Sequence, residues 1–262
     1  MRRQAAGGWS TAWIGVALLG SASCALAETP EFDRPGISFP TSTIPVGGIA
    51  FEQGLPDLSY DSGAGLRSTE SAFDSVVRVG VGEHAELQLI TSLYNRLDTH
   101  DSSGSEHFDG SGDTGLAVKL GLPGNNGQRS LAVLGSVLFP TGDREFSGGK
   151  PTVSLGSTAT FALSDQQALS LYANLDRLDD RNTLTLASDM SFELSDSLGA
   201  FIEAGASFTH AGDDDYVGGG GFTWMLLPRV QLDLYADFGL TDKSTDLQTG
   251  FGVSVYFGAS GD

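Results

Sequence analysis

The four histidines of this chain are the residues that could act as a general base beside a serine nucleophile. His84 falls in a predicted tight turn, and His100, His107 and His210 fall in predicted loops. None stands within a predicted strand beside a suitable serine, where a hydrolase site would need it. The sequence therefore predicts no catalytic residues and no enzyme, and an esterase or phospholipase is the less favoured alternative.

Two groups of aspartates in predicted loops carry the oxygen ligands that Ca²⁺ prefers. They are Asp213–Asp215 and the pair Asp98 and Asp101. Neither group has the fixed spacing of a dedicated calcium loop, so the sequence favours a hydrated acidic surface. No metal site and no cofactor are expected.

The first 27 residues have the anatomy of a secretory signal peptide. Arg2 and Arg3 precede a short apolar stretch, Trp13–Leu19, and small residues predict cleavage after Ala27. A lipid anchor on Cys24 is less favoured, because no aliphatic residue occupies the three positions before it. Cleavage leaves 12 basic and 33 acidic residues, a net charge of −21 (12 − 33), so nucleic acid is not an expected partner.

Twelve later runs alternate apolar and polar residues with the period of two that is typical of a β-strand. Most have the length of about 9 to 11 residues that a tilted strand needs to cross a bilayer. Tight turns alternate with mostly longer polar loops, as expected when short turns face the periplasm. The runs are approximately 48–60, 73–81, 85–94, 114–122, 129–139, 151–163, 167–175, 181–194, 198–208, 217–226, 230–240 and 247–257.

This pattern predicts an all-β fold, a transmembrane antiparallel up-and-down β-barrel of twelve strands. A soluble β-sandwich is the alternative, but it would normally have shorter strands and a shared apolar interior. Here the faces opposite the aliphatic residues are polar, small or charged, as in Thr114–Leu122, where Leu116 and Val118 alternate with Ala117 and Lys119.

Eleven charged residues of the predicted strands lie on the face opposite the aliphatic side chains. A charge facing lipid near the midplane costs about 2–4 kcal/mol, so these residues are expected to line the lumen. Eight are acidic and three are basic, which gives a wall charge of −5 (3 − 8) and predicts attraction of cations. With two aromatic residues that could stack on a ring-shaped solute, the lumen-lining candidates are Glu52, Asp74, Arg78, Glu86, Lys119, Arg181, Asp189, Glu193, Glu203, Trp224, Asp233, Tyr235 and Asp237.

A proline-rich segment separates the signal peptide from the first strand. Pro30, Pro35, Pro40 and Pro45 prevent it from forming a regular helix or a central strand. It either enters the lumen as a partial plug or rests at the periplasmic mouth, and the sequence leaves both open. The predicted organisation is a signal peptide (1–27), this N-terminal segment (28–47), the β-barrel (48–257) and a short C-terminal tail (258–262).

Three sets of short motifs carry a family resemblance. They are Arg34-Pro35-Gly36, Pro45–Gly48 leading into Phe51–Gly54, and Pro140–Asp143 after the fifth predicted strand. With them the chain resembles the outer-membrane transporters of the "MetA-pathway of phenol degradation" family over most of its length. The resemblance implies an outer-membrane barrel and, by association, passage of small or aromatic compounds. It supplies no catalytic or binding residues for these positions.

The leading functional hypothesis is a channel or transporter in the Gram-negative outer membrane for passive passage of small solutes, including aromatic or hydrophobic compounds. The alternative is a structural or surface-interaction barrel with a closed lumen. Expected partners are outer-membrane lipid, a small-molecule solute and the barrel assembly machinery. That machinery would read the aromatic end Tyr256-Phe257, although five residues follow it.

Overall fold

A computed structural model describes residues 29–63, 65–124, 128–210 and 212–258, so the predicted signal peptide and nearly all of the tail lie outside the described residues. The described part contains no helix long and apolar enough to cross a membrane. A 3-10 turn spans Arg144–Phe146. The strands are β1 (Ile49–Gly63), β2 (Leu66–Gly82), β3 (Ala85–Asp101), β4 (Gly104–Gly110), β5 (Thr114–Pro123), β6 (Arg129–Phe139), β7 (Thr152–Ser164), β8 (Gln167–Leu178), β9 (Arg181–Ser195), β10 (Leu198–Thr209), β11 (Asp215–Leu227), β12 (Val230–Gly239) and β13 (Leu247–Phe257).

These strands form one closed antiparallel barrel. Neighbours in sequence are neighbours in the sheet, and β1 pairs with β13 to close it, from Ile49 opposite Phe257 to Tyr60 opposite Leu247. Strand β3 pairs with both β4 and β5, which are successive pieces of the same barrel strand. The barrel therefore has twelve strands, and the predicted fold is confirmed.

The two faces of the barrel wall differ as the alternation predicts. On β5, Leu116 and Val118 are 57% and 46% exposed on the outside, whereas Ala117 and Lys119 are only 4% and 0% exposed. The same contrast separates Leu234, which is 53% exposed, from the buried Asp233 on β12. An apolar exterior around a polar interior is the arrangement of a membrane-spanning barrel.

Two predicted loops are in fact strands. The chain from Asp61 to Ala72 belongs to the β1–β2 hairpin, and most of Asn95 to Asp113 belongs to the β3–β4 hairpin. Strand β3 has 17 residues, more than the roughly 9 to 11 needed to cross a bilayer, so its outer end projects beyond the membrane. Leu97 is the one apolar residue of this outer part, Asn95–Asp101, so the apolar alternation used to find strands is absent there.

Two aspartates connect the chain between β4 and β5 to the loop between β6 and β7. Asp113 accepts hydrogen bonds from the backbone N–H groups of Gly142 and Gly148, each at 3.0 Å, and Asp143 accepts one from the N–H of Ser111 at 2.7 Å. Burial acts to raise the pKa of Asp113, but these hydrogen bonds outweigh it and leave the pKa below its ordinary value. The Pro140–Asp143 motif thus has a structural role.

Candidate functional site: the barrel lumen

Residues 29–47 form an irregular segment that crosses the lumen. The backbone N–H of Ile37 donates to Glu203 on β10 at 2.8 Å, and that of Ile44 donates to Glu86 on β3 at 2.6 Å. Between them, the hydroxyl of Thr41 lies 2.6 Å from a hydroxyl on β6. Because β3, β6 and β10 lie on different sides of the barrel, the segment lies within the lumen.

Lumenal glycines give the segment room. A Cβ added to Gly156 on β7 would lie 3.1 Å from the ring of Phe39, and one added to Gly205 on β10 would lie 2.9 Å from Ile37. The ring of Phe39 also meets Tyr172 of β8 edge to face, with 5.6 Å between the ring centroids. A side chain at either glycine would crowd the segment, so the close fit of segment and wall depends on glycine at these positions.

Asp33 joins the segment to the basic part of the wall. Its carboxylate lies 2.8 Å from the Lys119 ammonium and 3.1 Å from the Arg78 guanidinium. Arg78 also pairs with Glu52 at 2.9 Å and Glu86 at 2.8 Å, and all four of these wall side chains are fully buried. Burial acts to raise the pKa of Asp33, but the charges of Arg78 and Lys119 outweigh it and hold the pKa below its ordinary value. We call these five residues the Arg78 cluster.

Arg34 joins the segment to an acidic part of the wall. Its guanidinium donates two hydrogen bonds to Asp57 on β1, at 2.6 and 2.8 Å, and one to Asp233 on β12 at 3.3 Å. Glycines make space for it: a Cβ on Gly252 would lie 2.4 Å from Nε of Arg34, and one on Gly54 would lie 3.2 Å from its Nη1. We call Arg34, Asp57 and Asp233 the Arg34 cluster.

Strict alternation along β1 did not predict the lumenal position of Asp57. The register of β1 shifts between Gly54 and Asp57 against β13, and between Gln53 and Asp57 against β2, with Pro56 inside both shifts. Such a bulge adds a residue to one strand and changes which side chains share a face. Within sheets, proline is largely confined to edges and bulges because it has no N–H to donate. Pro56 was therefore the residue in the sequence that indicated a bulge at this point of β1.

A third group of charges forms a row across the inner face of β9–β12. Asp189 of β9 is opposite Glu203 of β10, Glu203 is opposite Gly219 of β11, and Gly219 is opposite Asp237 of β12. Glu203 and Asp237 are 7% and 5% exposed. We call Asp189, Glu203 and Asp237 the acidic row.

The remaining candidates from the sequence lie in different places. Glu193 is exposed near the short-turn end of β9, and Arg181 is exposed at its outer end. Asp74 is exposed on β2. The ring of Tyr235 lies inside, because a Cβ on Gly250 would be 2.6 Å from it and 2.0 Å from an oxygen of Asp57.

Trp224 does not line the lumen and must be removed from the candidates. It is 47% exposed, and its chain neighbour Thr223 lies inside, 2.7 Å from the position of a Cβ on Gly199. Adjacent residues of a strand point to opposite faces, so Trp224 points outward. The glycines at 218–221 gave no aliphatic face by which to orient this strand.

The outer hairpins bring one histidine and one serine together, which the sequence did not predict. Nδ1 of His100 on β3 lies 2.8 Å from the hydroxyl of Ser105 on β4, and both residues are exposed. In the described part of the chain, no carboxylate hydrogen-bonds to the other ring nitrogen, as it would in a catalytic triad. The geometry gives this pair no oriented base.

The loop aspartates weighed as calcium ligands have other partners. Asp98 pairs with Arg96 at 2.7 Å, Asp101 accepts the N–H groups of its own turn, and Asp213 pairs with Lys243. Among the described residues, no group of three or more acidic, histidine or cysteine side chains is arranged to hold a metal ion.

Solved outer-membrane proteins have the same fold. An outer membrane channel from Pseudomonas putida F1 is similar with a TM-score of 0.63 at 14% identity, over 86% of this chain and 99% of the channel. The KdgM porin in complex with disordered oligogalacturonate has a TM-score of 0.53 at 8% identity, over 80% and 99%. The beta domain of the Bordetella autotransporter BrkA has a TM-score of 0.53 at 12% identity, over 80% and 99%.

These identities establish the fold alone. No protein with a curated description matches this chain in sequence. A family model does match, over residues 32–257, which include the Arg78 cluster, the Arg34 cluster and the acidic row. The chain therefore belongs to the family described as "Putative MetA-pathway of phenol degradation".

Proposed function

We propose that this protein is an outer-membrane channel for small solutes, with a lumen that residues 29–47 narrow. The observation that carries the proposal is that the segment is held inside the wall by polar contacts. Hydrogen bonds and ion pairs of this kind exchange with water when the segment moves, whereas its buried apolar side chains Phe32, Phe39 and Ile44 would have to leave their contacts with the wall. The channels and porins among the solved structures of this fold support the assignment.

Passage requires displacement of the segment. The Arg34 cluster is the more accessible of its two ionic attachments, because its wall residue Asp57 is 13% exposed, whereas every wall residue of the Arg78 cluster is fully buried. A movement that begins at Arg34 would open the side of the lumen next to β12, β13 and β1. The family description further suggests aromatic compounds as solutes, and the ring of Tyr235 lies beside this cluster.

Single-channel recording in planar bilayers tests this function. Arg34→Ala removes the ion pairs with Asp57 and Asp233, and Arg96→Ala removes an ion pair of similar length on the exposed outer hairpin. We expect measurable conductance from the wild type, a higher open probability or larger conductance for Arg34→Ala, and no change for Arg96→Ala. Equal behaviour of the two variants would contradict control by the segment.

The second candidate is a closed structural or surface-interaction barrel, and the full burial of the Arg78 cluster favours it. It predicts no conductance from the wild type, from Arg34→Ala or from a variant that lacks residues 29–44. Conductance that appears only after this deletion would instead show a channel with a tightly held segment.

Location in the Gram-negative outer membrane is part of the proposal. The predicted signal peptide, the apolar exterior of the barrel and the outer-membrane origin of the similar structures support it. The barrel assembly machinery is the proposed partner for insertion. Expression in a Gram-negative host should give a heat-modifiable protein in the outer-membrane fraction, with a mass that shows processing after Ala27. A soluble periplasmic protein would contradict this location.

A further inference from the structure

The acidic row has no basic neighbour in the sheet. The register continues from Asp189 to Ser170 on β8 and from Asp237 to Gln248 on β13. Asp189 and Glu203 are directly opposite each other, and like charges in this relation are destabilising. A positive charge beside the row would remove the repulsion.

Two carboxylate oxygens of the row are buried without a hydrogen bond. They are Oε1 of Glu203 and Oδ1 of Asp237, in side chains more than nine-tenths buried. The other oxygen of Glu203 accepts the N–H of Ile37 at 2.8 Å. A buried charge without a partner is costly, so these oxygens call for a positively charged donor.

A cavity of about 300 Å³ adjoins Glu203 and Asp189. It lies between the segment and the short-turn ends of β7–β12. Arg34 is the one basic residue among those that line it, and its guanidinium is engaged by Asp57 and Asp233. The lumenal charges nearest the cavity are therefore left without a counterion.

Aromatic rings complete the lining of this cavity. They belong to Phe32 and Phe201. Phe201 is next to the carboxylate of Glu203, because a Cβ on Gly36 would lie 3.3 Å from Oε2 of Glu203 and 3.6 Å from the Phe201 ring. Aromatic faces attract cations, and carboxylates together with aromatic rings suit a cation that has an apolar body. The volume is in the lower part of the range for small-molecule sites.

We propose that this cavity binds a small organic ammonium compound. Its cationic group lies between Asp189 and Glu203, and its apolar part contacts Phe201. The inference names a ligand class for the lumen of the proposed channel and so rests on that function. Equilibrium binding does not require conduction, however, so binding and conduction are tested separately.

Isothermal titration of the purified, refolded protein in detergent tests the proposal, with 2-phenylethylammonium as the probe and neutral 2-phenylethanol as its matched analogue. We expect saturable 1:1 binding of the ammonium compound at neutral pH. The alcohol should bind at least about tenfold more weakly than the ammonium compound, because it cannot form a charge-assisted hydrogen bond.

Glu203→Gln should weaken ammonium binding by about tenfold or more, because it removes the charge while leaving an oxygen to accept the N–H of Ile37. Asp189→Asn, which keeps an acceptor for the Ser38 hydroxyl, is the second variant. Glu106→Gln, on the exposed strand β4, is the matched control and should bind as the wild type does. Heat-modifiable mobility checks the folding of each variant.

Equal binding of the alcohol, or unchanged ammonium binding in both folded cavity variants, would overturn the proposal. Saturable binding of Mg²⁺ without any binding of the ammonium compound would also overturn it, because the site would then belong to an inorganic cation. Ammonium binding by a protein that does not conduct would uphold the site and refute the channel.

Discussion

Removal of the Arg78 guanidinium should destabilise the barrel strongly. Arg78→Met leaves Glu52 and Glu86, both fully buried, without the guanidinium whose hydrogen bonds they accept. Removing one partner of a buried ion pair costs about 3–5 kcal/mol. Each carboxylate keeps other donors, since Glu52 accepts two backbone N–H groups and Glu86 accepts that of Ile44. We therefore expect a loss at the lower end, about 3 kcal/mol in the free energy of unfolding.

Urea unfolding in phospholipid vesicles measures this loss. Trp224 is the only tryptophan after residue 27 and lies on the outer face, so its fluorescence changes when the barrel leaves the lipid. Arg67→Met, on the exposed outer part of the same strand, is the control and should cost no more than about 0.5 kcal/mol. Arg78→Met combined with Glu86→Gln should recover part of the loss. If Arg78→Met unfolds at the same urea concentration as Arg67→Met, the cluster does not stabilise the barrel.

Three further predictions concern the wall, the outer loops and the lumen. Leu186→Arg, on the outer face, should lower the free energy of unfolding by about 2–4 kcal/mol more than Thr185→Arg on the inner face, and equal losses would contradict the assigned faces. The lowered pKa of Asp113 means that its stabilisation is complete above the unfolded value of about 3.9 and is lost as the pH falls through the lower folded value. Asp113→Asn should therefore flatten the decline of the urea midpoint in this acidic range. If the lumen conducts, the reversal potential in a KCl gradient should show cation preference, reduced by Asp237→Asn, and anion preference would refute the acidic wall.

The barrel could be predicted because one physical rule, apolar outside and polar inside, acts on every membrane-spanning strand. The rule located the run that became β5 to within one residue, since Leu116, Val118 and Leu120 mark its outer face. It failed where both faces meet water. The outer parts of β1–β4 pair as regularly as the rest, but their sequence has no apolar period to reveal them.

Strand periodicity could place the wall charges but not their partners. It put Arg78, Lys119 and Asp233 inside, where the structure buries them. The contacts of Asp33 and Arg34 with the wall could not be predicted, because the proline-rich segment has no periodicity from which to infer where a side chain points. Only the finished lumen shows that their charges are opposite to those of the wall residues they meet.

The distribution of charge on the wall explains the order of charges in the segment. In the described barrel, the buried basic residues Arg78 and Lys119 lie on β2 and β5, whereas the acidic row and Asp233 lie on β9–β12. Asp33 and Arg34 are consecutive and carry opposite charges, and each reaches wall residues of the opposite charge. A segment shifted by one residue would place a carboxylate against Asp233 or a guanidinium against Lys119, and like charges in a poorly hydrated space repel strongly. The two ion-pair clusters therefore fix the register of the segment as well as its position. The acidic row lies outside both clusters, so its charge is left for a ligand or a permeating cation.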